Sequence, residues 1–435
     1  MILRSFLLPI LALLCGCPFH AAPWILAQEA SGRLTLPDAL SRVFARHPEL
    51  AVSELEIQAA SARILQAGLR PNPVFTNEYE DFAAIGGSGL FPYTESTFQV
   101  SQLLELGGKR TLRVRSAEME LGVAGRELDM RKAELTAATG FAFADVLAAQ
   151  ERGRNLQELS RLVRQALETV AARVAAGKVS PIEEMRATVA LASARLEEDR
   201  QRMATAAARD RLAALWGGSQ LDFDGISGRF EIPPSPAGSG QPCLDRNPEL
   251  RLADAAIESR RATLALEQAQ KKPDLIVSAG FRCLNERGAA AWVAGISLPL
   301  NFFDKRQGAI AEARIRLNKS ETEKRAIEWR LRAALTQARH DHETALLEAQ
   351  ELTRTVLPAA REAVASLDEG YRLGEFDYLD VLDAQRTYAE LQRRYIEAVA
   401  AGLRAAIEIE RLARCDSSMS VMMPATGAKE IGHEK

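Results

Sequence analysis

His340-Asp341-His342 is the nearest approach to a metal-binding run in this chain. Residues two apart on a helix point about 200° from one another. One of these rings at most would face a given ion, and a solvated helix face accounts better for the run. Cys15 and Cys17 lie near the start, while Cys243, Cys283 and Cys415 are far apart without metal-ligand spacing. Nothing in the sequence pairs any two of the last three. There is no phosphate-binding glycine loop and no nucleophile with a base beside it. The chain therefore reads as a non-enzyme without a cofactor. The carboxylates say more. Asp380 and Asp383 are three residues apart, which on a helix puts them on one face. Glu183 and Glu184 come one residue after Gly177-Lys178-Val179-Ser180-Pro181, where a turn gives way to a helix.

Long helices must carry these groups. Charged residues make up 26% of the 435 and aromatics only 6%, a composition of long helices rather than of a compact mixed core. A net charge of −3 with no basic face excludes nucleic acid as a partner. Residues 1–30 read as an export signal: Arg4 gives the positive start, and Phe6 to Leu14 is an apolar core too short to span a membrane. Two exits are open. Leu14-Cys15-Gly16-Cys17 has the form of a lipoprotein box with Cys17 acylated, and Ala22 or Ala27 would suit ordinary cleavage. No later segment reaches the roughly 18 apolar residues of a helical span.

The chain says nearly the same thing twice. Arg46-His47-Pro48-Glu49-Leu50 returns as Arg246-Asn247-Pro248-Glu249-Leu250, Lys109-Arg110 as Lys305-Arg306, and the turn at Gly177 as the turn at Gly374. The common offset of roughly 200 residues is far beyond a solenoid period, so the molecule is two similar halves. Each half reads helix, strand, loop, strand, very long helix, turn, long helix. In the first, Leu36 to Leu69 is helical and stops at Pro71, Val74 to Phe82 and Thr94 to Leu104 are strands around a loop at Ile85 to Tyr93, and Gly107-Gly108 turns the corner. The long helices, Lys109 to Ala176 and Phe303 to Gly374, are each about 70 residues, or roughly 105 Å. Shorter partners, Ile182 to Trp216 and Leu379 to Ala413, return beside them.

The second pair of strands is the clearest. Leu275, Val277, Ala279 and Phe281 alternate with Ile276, Ser278, Gly280 and Arg282; Trp292, Ala294, Ile296, Leu298 and Leu300 form an apolar row opposite Val293, Gly295 and Ser297. Runs of about 10 alternating residues suit a membrane β-barrel strand, and equally a small soluble sheet. Four strands do not close a barrel, and an open edge is forbidden in lipid, so membrane strands would have to be pooled by several copies. Helices this long must bury their seams laterally, as coiled coil. The expected segments are 36–216 and 246–413 as the two repeats, 217–245 as a linker at the equator, and 414–435 as a tail.

Four runs carry a resemblance: Leu69-Arg70-Pro71-Asn72-Pro73, Ser101 to Arg110, Gly177 to Glu183, and Gly374 to Ala384. Together they resemble the outer-membrane factor family of TolC-like efflux channels. Ser101 to Arg110 with the Ser180-Pro181 turn is most similar to the heavy-metal branch, the CzcC-like proteins. The resemblance implies a mostly α protein with a small β part: a homotrimer whose subunits pool four strands each into a twelve-stranded outer-membrane barrel and their helices into a periplasmic α-barrel. It implies a periplasmic adaptor, an inner-membrane resistance-nodulation-division pump and outer-membrane lipid as partners. The tip turns, with Gly177, Ser180, Pro181, Glu183, Gly374 and Asp377, would meet the adaptor. Asp380 and Asp383 would form acidic rings at the narrow end of the pore, where crowded carboxylates attract cations and repel one another. Tyr371 matches a position that latches the closed tip. Phe376 stands where an arginine often completes that latch, so other contacts must hold it here. Within the same fold, a drug-efflux or secretion channel is the alternative; a periplasmic coiled-coil scaffold without a barrel is the alternative of a different class.

Overall fold

The computed structural model describes residues 32–81, 94–219, 223–234, 244–284 and 288–413. The expected export signal with Cys17, the expected loop at 85–93, Cys243, and the expected tail with Cys415 lie outside the described residues. β1 (Arg33–Leu34) leads into α1 (Leu36–Arg46), which Thr35 and Asp38 close with a capping box. α2 (Pro48–Ala67) follows after a break. The single helix expected from Leu36 to Leu69 is thus two helices. Pro48 bars helical geometry from the residue before it, and His47 is extended at φ −69°, ψ 121°, with Nδ1 accepting the Glu49 N–H at 3.3 Å. Asn247 does the same ahead of α5 (Pro248–Gln270), its Oδ1 accepting from Glu249 at 2.9 Å. The repeated Pro-Glu-Leu run is therefore a repeated helix start.

β2 (Val74–Glu80) and β3 (Glu95–Leu104) precede α3 (Lys109–Ala175), an uninterrupted helix of 67 residues. Gly107 and Gly108, at φ 76° and 72°, make the corner between them in left-handed geometry that favours glycine. α4 (Pro181–Ala214) returns beside α3. Gly225-Ile226 forms β4, parallel to β1, and Phe223 and Ile226 are buried against α3. The second half holds α5, β5 (Leu275–Leu284), β6 (Ala289–Ser297), α6 (Gln307–Glu351), α7 (Leu357–Leu373) and α8 (Tyr378–Ala413). The long helix expected from Phe303 is not continuous. A π-helical turn, Leu352–Val356, separates α6 from α7. Pro358 lacks an N–H and its ring crowds the carbonyl four residues back, and the widened turn absorbs the misfit.

β2, β3, β5 and β6 form one antiparallel sheet in that order. The register places Phe75, Val100, Ala279 and Ala294 in one cross-strand row and Asn77, Phe98, Phe281 and Trp292 in the next. These residues share a face, because side chains alternate along a strand. Val277 and Ile296 extend it; Trp292 is 90% exposed and the Phe98 and Phe281 rings stack at 5.1 Å. The other face is mainly polar, with Thr76, Thr97, Gln99, Ser101, Ser278, Arg282 and Ser297 beside Val74, Leu103, Ile276 and Val293. There Gln99 donates to Ser278 Oγ at 2.6 Å and Arg282 to Glu95 at 2.8 Å. At the lower end a polar residue enters the apolar row: Gln102 pairs with Val277, and its amide donates to the Pro71 carbonyl at 2.9 Å. Within the described residues β2 and β6 each leave one edge unpaired.

Three buried clusters follow the helices. The largest lies where α1, the middle of α3, the end of α4 and Phe223 and Ile226 meet α8. The second joins α5, α6 and the end of α8. The third lies where the helices turn.

Candidate gate at the tip of the helical hairpins

Each hairpin closes on a left-handed glycine. The Gly177 N–H donates to Val174 O and the Lys178 N–H to Arg173 O, both at 2.9 Å. Gly374 and Glu375 donate to the Gly370 carbonyl at 2.9 and 2.8 Å, with Gly374 at φ 90°. Ser180 caps α4, its Oγ accepting the Ile182 N–H at 3.3 Å, and Pro181 takes the first helical position. The two turns are brought together by Ala166 and Val170 of α3, Ala187 of α4, Tyr371 of α7, and Tyr378, Val381 and Leu382 of α8, which form one buried cluster.

Tyr371 is the hub. It is 2% exposed, and its hydroxyl donates to Glu183 Oε2 at 2.9 Å, across from α7 to α4. Its ring lies 5.8 Å from that of Tyr378, tilted by 57°. The Arg173 guanidinium, from the last turn of α3, sits 4.5 Å from the ring centroid. Burial and the hydrogen bond to Glu183 push the Tyr371 phenol above its ordinary range, and burial pushes Tyr378 the same way. Phe376 covers Gly370, where an added Cβ would collide with its ring.

Asp380 and Asp383 are exposed on the side of α8 away from Val381 and Leu382. Asp380 also accepts the Asp377 N–H at 3.3 Å, a local task that suits a carboxylate in the first turn of a helix. Asp377, Gly177 and Gly374 lie in the exposed turns. Sequence reasoning named Tyr371 and Glu183 without joining them, and did not single out Arg173 or Tyr378. A basic residue in the last turn of α3 was the signal available for Arg173. Between α4 and α8 runs a groove of about 670 Å³, floored by Leu156, Leu159 and Val163 and flanked by Met185, Val189 and Leu379. Far from the tip, His342 is 1% exposed with Nε2 3.0 Å from the Pro233 carbonyl, and His340 is exposed on another face. The two rings do not converge.

The model of the family described as outer membrane efflux protein matches residues 39–218 and 240–413. The chain belongs to that family. This efflux protein is 32% identical over 390 residues to the cobalt-zinc-cadmium resistance protein CzcC of Cupriavidus metallidurans, covering 89% of this chain and 92% of the relative. It is 26% identical to the nickel and cobalt resistance protein CnrC of the same organism, over 67% and 70% of the two chains. A solved structure of CusC superposes with a TM-score of 0.73 at 15% identity, covering 87% of this efflux protein and 91% of that chain. The fold is thus that of the outer-membrane efflux channels, mostly helical with a small strand part. Among the described residues no helix is long and apolar enough to cross a membrane.

Proposed function

We propose that this efflux protein is the outer-membrane exit duct of a tripartite system that expels heavy-metal cations. The observation that carries the reading is the two-faced sheet with two open edges above long helical hairpins. Apolar side chains on one face suit lipid, and polar ones on the other suit a water-filled lumen. Because an unpaired edge is not tolerated in hydrocarbon, three copies close their sheets into one twelve-stranded barrel and their helices into a tube beneath it. The tip turns, with Gly177, Ser180, Pro181, Glu183, Gly374 and Asp377, meet a periplasmic adaptor, and an inner-membrane resistance-nodulation-division pump supplies the energy. Tyr371 fastens the tip, and Asp380 and Asp383 line its aperture as acidic rings. The names of its relatives, cobalt-zinc-cadmium and nickel and cobalt resistance proteins, support divalent cations as cargo.

The test is metal tolerance. A strain without the gene should lose growth on one or two of zinc, cadmium, cobalt and nickel, and keep its resistance to detergents and antibiotics. Complementation with Asp380→Ala plus Asp383→Ala should restore assembly and alter cation block of the channel. Sensitivity to drugs and detergents instead would retain the fold and overturn the cargo.

A further inference from the structure

We infer that Arg173 supplies the cation that ties the two tip turns together, so that the closed tip is held by an Arg173–Tyr371–Glu183 clasp. The inference rests on the reading of the tip as the gate. The α3/α4 hairpin contributes both charges, Arg173 from the end of α3 and Glu183 from the start of α4. The α7/α8 hairpin contributes the ring between them. Glu183 accepts from the hydroxyl at 2.9 Å while the guanidinium covers the ring face at 4.5 Å. The two contacts reinforce each other, because a phenol donating to a carboxylate gains electron density on the face that attracts the cation.

Three further observations point to Arg173. Its Nε and Nη1 atoms are buried and have no hydrogen-bond partner among the described residues. Buried donors in that state need compensation, and the Tyr371 ring is what the guanidinium lies against. Its reach is to the opposite turn, since a Cβ built on Gly374 would lie 3.5 Å from Arg173 Nη2. The α7/α8 turn offers no rival: Arg372 pairs with Asp368 at 2.8 Å along its own helix, and Phe376 carries no charge and covers Gly370. Parting the turns therefore breaks the stack and the hydrogen bond at once.

The experiment is single-channel conductance of the full-length assembled protein in planar bilayers. Arg173→Ala should raise the open population roughly three- to thirty-fold. Arg173→Lys, which keeps the charge and loses the plane, should fall between the two. In a Tyr371→Leu background Arg173→Ala should add nothing, since the partner is already gone. If Tyr371→Phe or Glu183→Ala opens the channel and Arg173→Ala does not, the clasp is tyrosine and glutamate alone and the inference fails. An equal effect of Arg173→Ala with and without the Tyr371 ring also overturns it. If no tip substitution changes conductance, it is the gate reading that falls. Unchanged heat-sensitive gel mobility identifies the variants that have assembled.

Discussion

Glu105, Lys109, Arg113 and Asp274 stand at the junctions of strands and helices. Lys109 Nζ lies 2.7 Å from Asp274 Oδ1, which also accepts the Leu106 N–H at 3.0 Å. Arg113 binds both oxygens of Glu105 and donates to the carbonyls of Ala67 at 2.9 Å and Leu69 at 3.2 Å, so one guanidinium joins α2, α3 and the end of β3. The Arg113 hydrogen bond holds the Glu105 carboxyl below its ordinary value of 4.5. A depressed carboxyl stabilises the fold above the unfolded value, and that contribution is lost as pH falls through the folded one. Arg113→Ala should therefore destabilise by about 1–3 kcal/mol near neutrality, and by progressively less as pH falls through the folded pKa of Glu105. A series of thermal melts in detergent from pH 7 downward would check it; a loss that stays constant to the acid limit of folding would remove the charge from the account. The sequence marked Lys109-Arg110 as a repeated feature but hid its purpose, because Asp274 is 165 residues away. The tip was hidden in the same way. Tyr371 and Glu183 are 188 apart in sequence, and no local spacing announces such a pair.

At the scale of elements, the two halves differ in their long helices. α3 runs without interruption, whereas α6 and α7 are parted by the π-helical turn before Pro358. The misfit makes Leu352–Val356 the weakest stretch of that arm. Hydrogen exchange followed by mass spectrometry should show these amides exchanging at least tenfold faster than those in the matching part of α3, and Pro358→Ala should narrow the gap. Equal protection in the parent protein would deny the turn any special mobility. Where glycine or proline bounds an element, the sequence was plain: Gly107, Gly177, Gly374 and Pro71 all fall where a strand or helix ends. Pro358 was passed over because the matched length of the two halves suggested one continuous helix, and Pro48 because apolar spacing runs on through it. The strands were legible from alternation, and the same period of two, counted on from Phe98 and Val100, puts Gln102 rather than Leu103 in the apolar row.

For the whole molecule, the informative feature is what a single copy leaves uncovered. Val52, Leu55 and Leu65 on α2, Met185, Val189 and Met203 on α4, and Ile315, Trp329 and Leu347 on α6 are all exposed. Apolar stripes at helical spacing on several helices are seams awaiting partners. Light scattering on the detergent-solubilised protein should give three times the chain mass, and Trp329→Glu should shift the population toward single copies; a monodisperse monomer in the parent would contradict the pooled barrel. Duplication made the architecture readable from the chain alone. The number of copies was not readable, since no residue pattern encodes three, and that expectation came from the family resemblance.

The middle of the sheet joins β3 to β5, with Gln99 reaching Ser278 across 179 residues of chain. A polypeptide made from its N-terminus completes the β2–β3 ribbon long before its partner exists. At about 5–20 residues per second, the free edge and apolar face of that ribbon wait roughly ten to forty seconds. Non-local pairing of this kind folds slowly and invites aggregation meanwhile. The seam that gives the sheet its middle is thus available only once both halves of the chain exist.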